Sequence, residues 1–204
     1  MKRITHILLD NGHGSDTPGK SSPVWSDGRQ VFEWEYTRRL VSAISAKLAE
    51  SGIPVRIITP ETTDTPLYIR VNRVNQIARS VGAGSCLLVS VHLNAARETN
   101  TGSGWEVHTS LGSTASDIYA DQFWDAANKE IGPLTRMRGD YSDGDRDWDS
   151  NFYILQKTIC PAVLTENLFM NRESDCRILL SKEGFERLVR LHVTAIRNII
   201  DKKP

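Results

Sequence analysis

Two histidines and one glutamate follow apolar runs that have the length and composition of buried strands. His13 comes shortly after residues 4–9, His92 directly follows residues 86–91, and Glu166 ends a third such run. In an open α/β sheet the carboxyl ends of parallel strands meet at one edge, and ligands bind there. A single histidine at a strand end is often only a hydrogen-bonded side chain. Three polar groups that converge on one edge instead indicate a site that can hold a cation and move a proton.

A fourth residue, Glu33, opens a helix predicted over about residues 33–51. Glu33 is seven positions before Leu40 on the apolar stripe, which is about 700° of rotation and leaves it about 20° from Leu40. Glu35 lies about 140° from Leu40. A carboxylate on an apolar face is costly unless it is paired or bound to a metal, although an acidic residue in a frayed first turn also suits the helix dipole. The helix phase therefore favours Glu33 over Glu35 as a ligand.

His13, Glu33 and His92 together form a donor set that suits catalytic zinc. Such zinc sites use three protein ligands and leave a fourth position to water. Zinc polarises a carbonyl and lowers the pKa of water, and a second carboxylate nearby can take and return the proton. Glu166 suits that second role, because the apolar residues 161–164 before it disfavour a surface cap or surface ion pair. The sequence predicts one zinc ion and a hydrolytic reaction.

The elements that must position these residues alternate along the chain. Strands are predicted at 4–9, 54–59, 86–91, 105–109, 152–155 and 162–165, helices at about 33–51, 66–81, 114–130 and 182–200, and long loops at 10–28 and 138–150. Strands that read as continuous apolar runs and alternate with helices indicate a mostly parallel sheet covered on both faces. We therefore expect a single α/β domain over residues 1–204, with a twisted sheet of about six strands and helices on both faces.

The composition excludes several classes of partner. Lys and Arg number 25, as do Asp and Glu, so the formal net charge of zero gives no reason to expect nucleic acid or an anionic membrane. No stretch approaches the roughly 20 apolar residues of a membrane span, and the N-terminus lacks the core of a signal peptide. We expect a protein that stays in the cytoplasm, leaves by a route other than a signal peptide, or has lost a leader. The three cysteines lack the spacing of a disulfide framework or a thiolate metal site.

Four segments, in order, resemble the zinc-dependent N-acetylmuramoyl-L-alanine amidases of type 3. Residues 7–14 (ILLDNGHG) resemble the first ligand motif of that family, and Glu33 at the head of a helix resembles the second. Residues 90–95 (SVHLNA) are similar to its strand-end histidine motif, and residues 161–171 (PAVLTENLFMN) to its closing motif, which carries the catalytic glutamate. Each motif alone is weak, but four in order are specific, and the resemblance covers nearly the whole chain.

The resemblance implies hydrolysis of the amide between the N-acetylmuramoyl lactyl group and L-alanine of peptidoglycan. Zinc would be held by His13, Glu33 and His92, with Glu166 as the proton-transfer residue. Resemblance alone leaves Glu33 and Glu35 open, because residues 32–36 (FEWEY) offer both. Four further residues are predicted to contact substrate: Asn94, Trp105, Tyr141 and Trp148.

Two further stretches depart from the family pattern, and the second of them bears on substrate detail. Residues 16–23 replace the usual run after the first motif, and the loop at 139–149 is long and acidic. The aspartate spacing of that loop also suits calcium, but the loop lacks the helix-flanked form and terminal glutamate of an EF-hand, which favours a solvated loop. His6, His108 and His192 are interpreted as structural.

Two other functions remain open from the sequence. One is a zinc carboxypeptidase or deacylase on a related fold, and the other is an inactive peptidoglycan-binding module. The presence of a complete ligand set and of Glu166 argues against the inactive module. The expected partner is peptidoglycan or a muropeptide, with no separate wall-binding domain within residues 1–204. A lone catalytic domain suits a phage or prophage lysin, or an enzyme that recycles small muropeptides.

Overall fold

A computed structural model describes residues 2–97 and 102–201 and places six strands in one sheet of order β2-β1-β3-β6-β4-β5. The strands are β1 (His6–Asn11), β2 (Val55–Ile57), β3 (Cys86–Asn94), β4 (Trp105–Thr109), β5 (Trp148–Asp149) and β6 (Ala162–Phe169). The helices are α1 (Glu33–Ala49), α2 (Leu67–Val81), α3 (Asp117–Glu130), α4 (Tyr153–Lys157), α5 (Glu173–Leu180) and α6 (Lys182–Asp201). All neighbouring strands are parallel except β4 and β6, which are antiparallel. The predicted fold class is confirmed.

Each central strand faces two separate apolar cores. Side chains alternate between the faces of a strand, so Leu87 and Val89 of β3 pack into the core shared with α1, α3 and α6. Leu88 lies between them in sequence and packs into the smaller core under α2 and α4. Both faces of the sheet are therefore covered by helices, which explains why these strands read as uninterrupted apolar runs.

The burial pattern of α1 confirms the helical phase that was predicted for Glu33 and Glu35. Its buried residues include Leu40, Ile44 and Glu33, whose exposure is only 1%, whereas Glu35 is exposed. The helix begins at Glu33, because Phe32 before it is extended and the Glu33 amide donates to the carbonyl of Lys20. The buried carboxylate thus lies at the helix end nearest the sheet edge.

The prediction of a strand at residues 152–155 is wrong. Residues Tyr153–Lys157 form the short helix α4, whose Ile154 and Leu155 pack into the smaller core with α2. A four-residue apolar run carries too little periodicity to separate a strand from one helical turn. Strand β5 at Trp148–Asp149 lies inside the predicted acidic loop, and helix α5 was not predicted. No helix among residues 2–97 and 102–201 combines the length and apolarity that a membrane span needs.

His192 of α6 is a buried structural histidine with both ring nitrogens satisfied. Its Nδ1 lies 2.8 Å from the Leu188 carbonyl and its Nε2 lies 3.0 Å from Thr165 Oγ1. The neutral ring can donate through Nδ1 and accept the Thr165 hydroxyl proton through Nε2. Burial lowers the pKa of His192 from 6.5 to about 4, because a charged ring would lose its solvation.

We expect His192 to make the protein less stable in acid. Between pH 6.5 and 4 the unfolded chain binds a proton at this ring that the folded protein does not bind, so the free energy of unfolding falls as the pH falls. The slope is about 1.4 kcal/mol per pH unit. Urea unfolding at pH 7, 6, 5 and 4 should show the difference between wild type and His192→Gln changing with that slope. A difference that is constant with pH would contradict the assignment.

Candidate active site

His13, Glu33 and His92 come from three separate elements and converge at the carboxyl edge of the sheet. Their donor atoms all lie within 4.8 Å of one another. His13 Nε2 is 3.6 Å from Glu33 Oε2, and His92 Nδ1 is 3.1 Å from Glu33 Oε1. In the described part of the chain, this is the only group of three or more His, Cys, Asp or Glu side chains whose donor atoms converge in this way. The structure thus brings together the three residues predicted as ligands, and it does not bring such a group together in the acidic loop.

Two of the three residues have ionisation states that suit a dication. Burial lowers the pKa of His13 to about 4, so its ring is neutral and able to coordinate. Burial alone would raise the pKa of Glu33. The hydrogen bond to His92 and the electrostatic effect of His92 and His13 outweigh burial, so the pKa of Glu33 is lowered overall. Burial alone would lower the pKa of the third, His92, but its hydrogen bond to Glu33 and the charge of that carboxylate raise it, so binding a metal would displace a proton from this ring. Glu33 Oε2 is buried without a hydrogen-bond partner. A buried carboxylate oxygen without a partner is costly, and a metal ion between the three donors would satisfy it. The residues therefore fit zinc.

Gly12 allows the loop after β1 to approach the cluster. A Cβ at Gly12 would lie 2.5 Å from His92 Nδ1 and 3.0 Å from Glu33 Oε1, so a larger residue would displace two of the three donors. His13 itself has a φ of 58°, a conformation that non-glycine residues adopt only when the surroundings hold them there. Arg38 of α1 supplies part of that support, since its Nη1 donates to the His13 carbonyl over 2.9 Å.

Glu166 lies beside this cluster on the neighbouring strand. Its backbone pairs with His92 of β3 on one side and with Glu106 of β4 on the other, so the three side chains share one face of the sheet. Glu166 is partly exposed, but its Oε2 is buried without a hydrogen-bond partner. Burial raises the pKa of Glu166 to about 8; His92 opposes this rise, and the carboxylates of Glu33 and Glu106 add to it. A carboxyl group in this position can exchange a proton near neutral pH.

Comparison with known proteins agrees with this geometry. Residues 7–198 match the family model described as N-acetylmuramoyl-L-alanine amidase. The chain belongs to this family. It is 26% identical over 200 residues to the endolysin of Bacillus phage SPP1, and 24% identical over 202 residues to the sporulation-specific N-acetylmuramoyl-L-alanine amidase of Bacillus subtilis. These alignments cover 97% and 98% of this chain but 66% and 70% of the relatives, so the chain spans about two thirds of their length.

Solved structures share the fold of this chain. The crystal structure of an N-acetylmuramoyl-L-alanine amidase from Clostridium difficile 630 superposes with a TM-score of 0.80, at 22% identity and over 100% of both chains. The catalytic domain of the CD27L endolysin gives a TM-score of 0.68 at 24% identity, covering 95% of this chain and 97% of that chain. The conserved feature at this level of identity is the layered α/β architecture.

A buried ionic network in this amidase supports the loop that carries His13. Arg70 of α2 donates to Asp10 over 3.0 Å and to the Asn11 carbonyl over 2.8 Å. Asp10 also accepts from Ser90 and Thr59. This network was not predicted from the sequence, although Arg70 lies on the same helical face as the apolar residues of α2, where an unpaired cation would be costly.

A second network at the amidase site centres on Glu106, which the sequence analysis also missed. Glu106 Oε1 accepts from Asn94 Nδ2 over 2.6 Å and lies 3.2 Å from His108 Nε2, while Glu106 Oε2 accepts from Arg138 Nε over 2.6 Å. Asn94 is thereby fixed one strand away from Glu166. The available signal was a single carboxylate within the predicted apolar strand at 105–109.

The three aromatic residues predicted to contact substrate have different surroundings. Trp105 has 0% exposure and donates through Nε1 to Asn167 Oδ1 over 3.0 Å, so its predicted substrate contact is wrong in this structure. The reason is that β4 is covered on that face by α3, whose Trp124 packs edge-on against Trp105. Tyr141 is 66% exposed. Trp148 is partly exposed and donates to the Arg138 carbonyl over 3.0 Å.

Proposed function

We propose that this chain is a zinc-dependent amidase that hydrolyses the bond between the N-acetylmuramoyl lactyl group and L-alanine of peptidoglycan. The observation that carries the proposal is the convergence of His13, Glu33 and His92 beside the partnerless carboxyl of Glu166. Membership of the amidase family supports the choice of bond. One zinc ion, held by the two histidines and Glu33, would polarise the scissile carbonyl and lower the pKa of the attacking water.

Glu166 performs the proton transfers in this proposal. Its side chain shares the sheet face with His92 and lies outside the group of three converging donors, which supports this role. The carboxylate takes a proton from the water as it attacks, and the same carboxyl group then protonates the leaving amine of L-alanine. A cation bound nearby would lower the raised pKa of Glu166, because an opposite charge favours the carboxylate. The group is then poised to accept a proton at neutral pH.

Asn94 and the exposed aromatic residues are proposed to contact the substrate. Asn94 Nδ2 has two hydrogens, and Glu106 accepts one of them, which leaves the other to donate to a substrate carbonyl. Trp148 and Tyr141 offer partly and largely exposed rings in the segment between α3 and α4. Because Trp105 is buried, we no longer propose that it contacts substrate.

A digestion assay with product analysis tests this function. Purified protein loaded with one equivalent of zinc should release, from defined muropeptides, intact stem peptides that begin with a free L-alanine amine and a sugar with a free lactyl carboxylate. Mass spectrometry identifies both products, and a chelator should stop their release until zinc is restored. Release of a terminal amino acid would indicate a carboxypeptidase, and release of acetate a deacylase. Binding to peptidoglycan without any product would indicate an inactive module.

A further inference from the structure

Arg138 lies one strand beyond Glu166 at the same edge of the sheet. Its amide donates to the Trp105 carbonyl over 2.9 Å, which ties it to the start of β4. Glu106, the residue after Trp105, pairs directly with Glu166 and binds the Arg138 side chain. The order across the edge is therefore the histidine cluster, then Glu166, then Glu106 with Arg138.

The guanidinium of Arg138 is held from three sides. Its Nε donates to Glu106 Oε2 over 2.6 Å. Its central carbon lies 5.1 Å from the ring centre of Phe169 and 6.0 Å from that of Trp148. Trp148 is fixed in turn, because its Nε1 donates to the Arg138 carbonyl. A guanidinium held in this way loses little conformational entropy when it binds a further group.

The two terminal nitrogens of Arg138 are left without a partner. Within residues 2–97 and 102–201, the Arg138 side chain makes its hydrogen bond through Nε. Nη1 and Nη2 make none, and they are not buried. The side chain is 20% exposed. Two parallel N–H groups that reach solvent from a fixed guanidinium form a fork that suits a carboxylate.

The covalent structure of the proposed substrate shows which part of it carries a free carboxylate. The only carboxyl group of the muramoyl sugar is consumed in the scissile amide, so every free carboxylate belongs to the stem peptide. Glu166 protonates the leaving amine and lies between the histidine cluster and Arg138, so the peptide extends toward β4. Neighbouring strands lie about 4.8 Å apart, and one residue of extended peptide spans about 3.5 Å. A group one strand beyond Glu166 is therefore within reach of the residue that follows L-alanine in the stem peptide.

We propose that Arg138 is a specificity-determining residue that binds the α-carboxylate of the γ-linked glutamate after L-alanine, and so favours stems in which this group is free over stems in which it is amidated. This inference rests on the proposed amidase function. Glu106 acts as a positioning residue, because it orients the guanidinium without touching the substrate.

The experiment compares two muropeptides that differ only in that group, one with a free α-carboxyl and one with an α-carboxamide. Wild-type protein should hydrolyse the free acid with the higher kcat/KM. Arg138→Gln should lower kcat/KM for the free acid about 10- to 100-fold, mainly through KM, because a charge-assisted pair is lost. The loss for the amidated muropeptide should be much smaller, so the preference disappears. Arg138→Lys keeps the charge without the fork and should retain part of the preference.

Arg136→Gln is the matched control, since it removes an exposed arginine two residues away and should leave the preference unchanged. The ratio between substrates separates recognition from structural damage, because a distorted site would lose both activities equally. Equal kcat/KM for the two muropeptides in the wild type, or an unchanged ratio in Arg138→Gln, would overturn the inference while the amidase function stands. A zinc-loaded wild type that cleaves neither muropeptide would refute the proposed function and this inference together.

Discussion

Replacing Glu166 by glutamine should lower kcat by about 10²- to 10⁴-fold, the usual contribution of a positioned general acid–base group. Glutamine has the same shape but cannot take a proton from water or return it to the leaving amine. Both kcat and kcat/KM should fall together, because the lost interaction belongs to the transition state. Zinc content should stay at that of the wild type, since Glu166 lies outside the group of three converging donors.

The structure indicates that this substitution is well tolerated by the fold. Glutamine has nearly the same shape as glutamate, and burial raises the pKa of Glu166 to about 8, which means that its surroundings favour an uncharged side chain. Glu173→Gln, which changes an exposed glutamate of α5 paired with Arg177, is the matched control and should keep full activity. Turnover of muropeptides is followed by release of amino groups, with zinc measured on the same sample. Near-normal turnover by Glu166→Gln would remove Glu166 from the mechanism, and loss of zinc would reassign it as a ligand.

Glu33 shows how far a one-dimensional pattern can specify a site. Its helical phase relative to Leu40 predicts a core-facing carboxylate, and the structure buries Glu33 while it exposes Glu35. His92 and Glu166 were predicted from strand ends alone, because parallel strands bring their carboxyl ends to one edge. The structure brings these residues to one edge of the sheet, because each position depends on the period of a single element and on a general rule of sheet topology.

The residues that were missed depend on contacts between elements far apart in the chain. Glu106 meets Arg138 across 32 residues, and Asp10 meets Arg70 across 60. No local period encodes such pairs, so a charged residue in an apolar segment signals only that a partner exists. The predicted substrate contact of Trp105 was wrong for a related reason, because the burial of Trp105 depends on α3 covering β4 and not on its own strand.

The hydrogen bonds of Glu106 connect the proposed substrate contacts with Glu166. The same carboxylate binds Asn94 and Arg138 and adds to the raised pKa of Glu166. A change at Glu106 would therefore alter two groups that are proposed to contact substrate and the proposed proton-transfer residue at once. Arg138 binds Glu106, and the effect of its replacement can be separated from this coupling because it is measured as a ratio between two substrates.

Removing the Glu33 carboxylate should release zinc, whereas the same change at Glu35 should not. Both glutamates lie in the first turn of α1, so each interacts similarly with the helix dipole. They differ in that Glu33 faces His13 and His92. Glu33→Gln keeps an oxygen to accept the Leu93 amide, which now donates to Glu33 Oε1 over 3.1 Å, but it lacks the charge that balances a dication. Zinc affinity should fall by more than about 100-fold, the upper end for substitutions that only support ligands.

Elemental analysis after dialysis against a weak chelator measures this difference directly, and circular dichroism shows whether each variant is folded. Wild type and Glu35→Gln should keep about one zinc per chain, as catalytic sites of this ligand type do. Glu33→Gln and His92→Ala should keep little, and both should lose amidase activity in proportion to the zinc they lose. Retention of zinc by a folded Glu33→Gln variant, or its loss from Glu35→Gln, would assign the third ligand to the other glutamate. The two variants differ by two positions on one helix, so the outcome depends on which helix face meets the histidines.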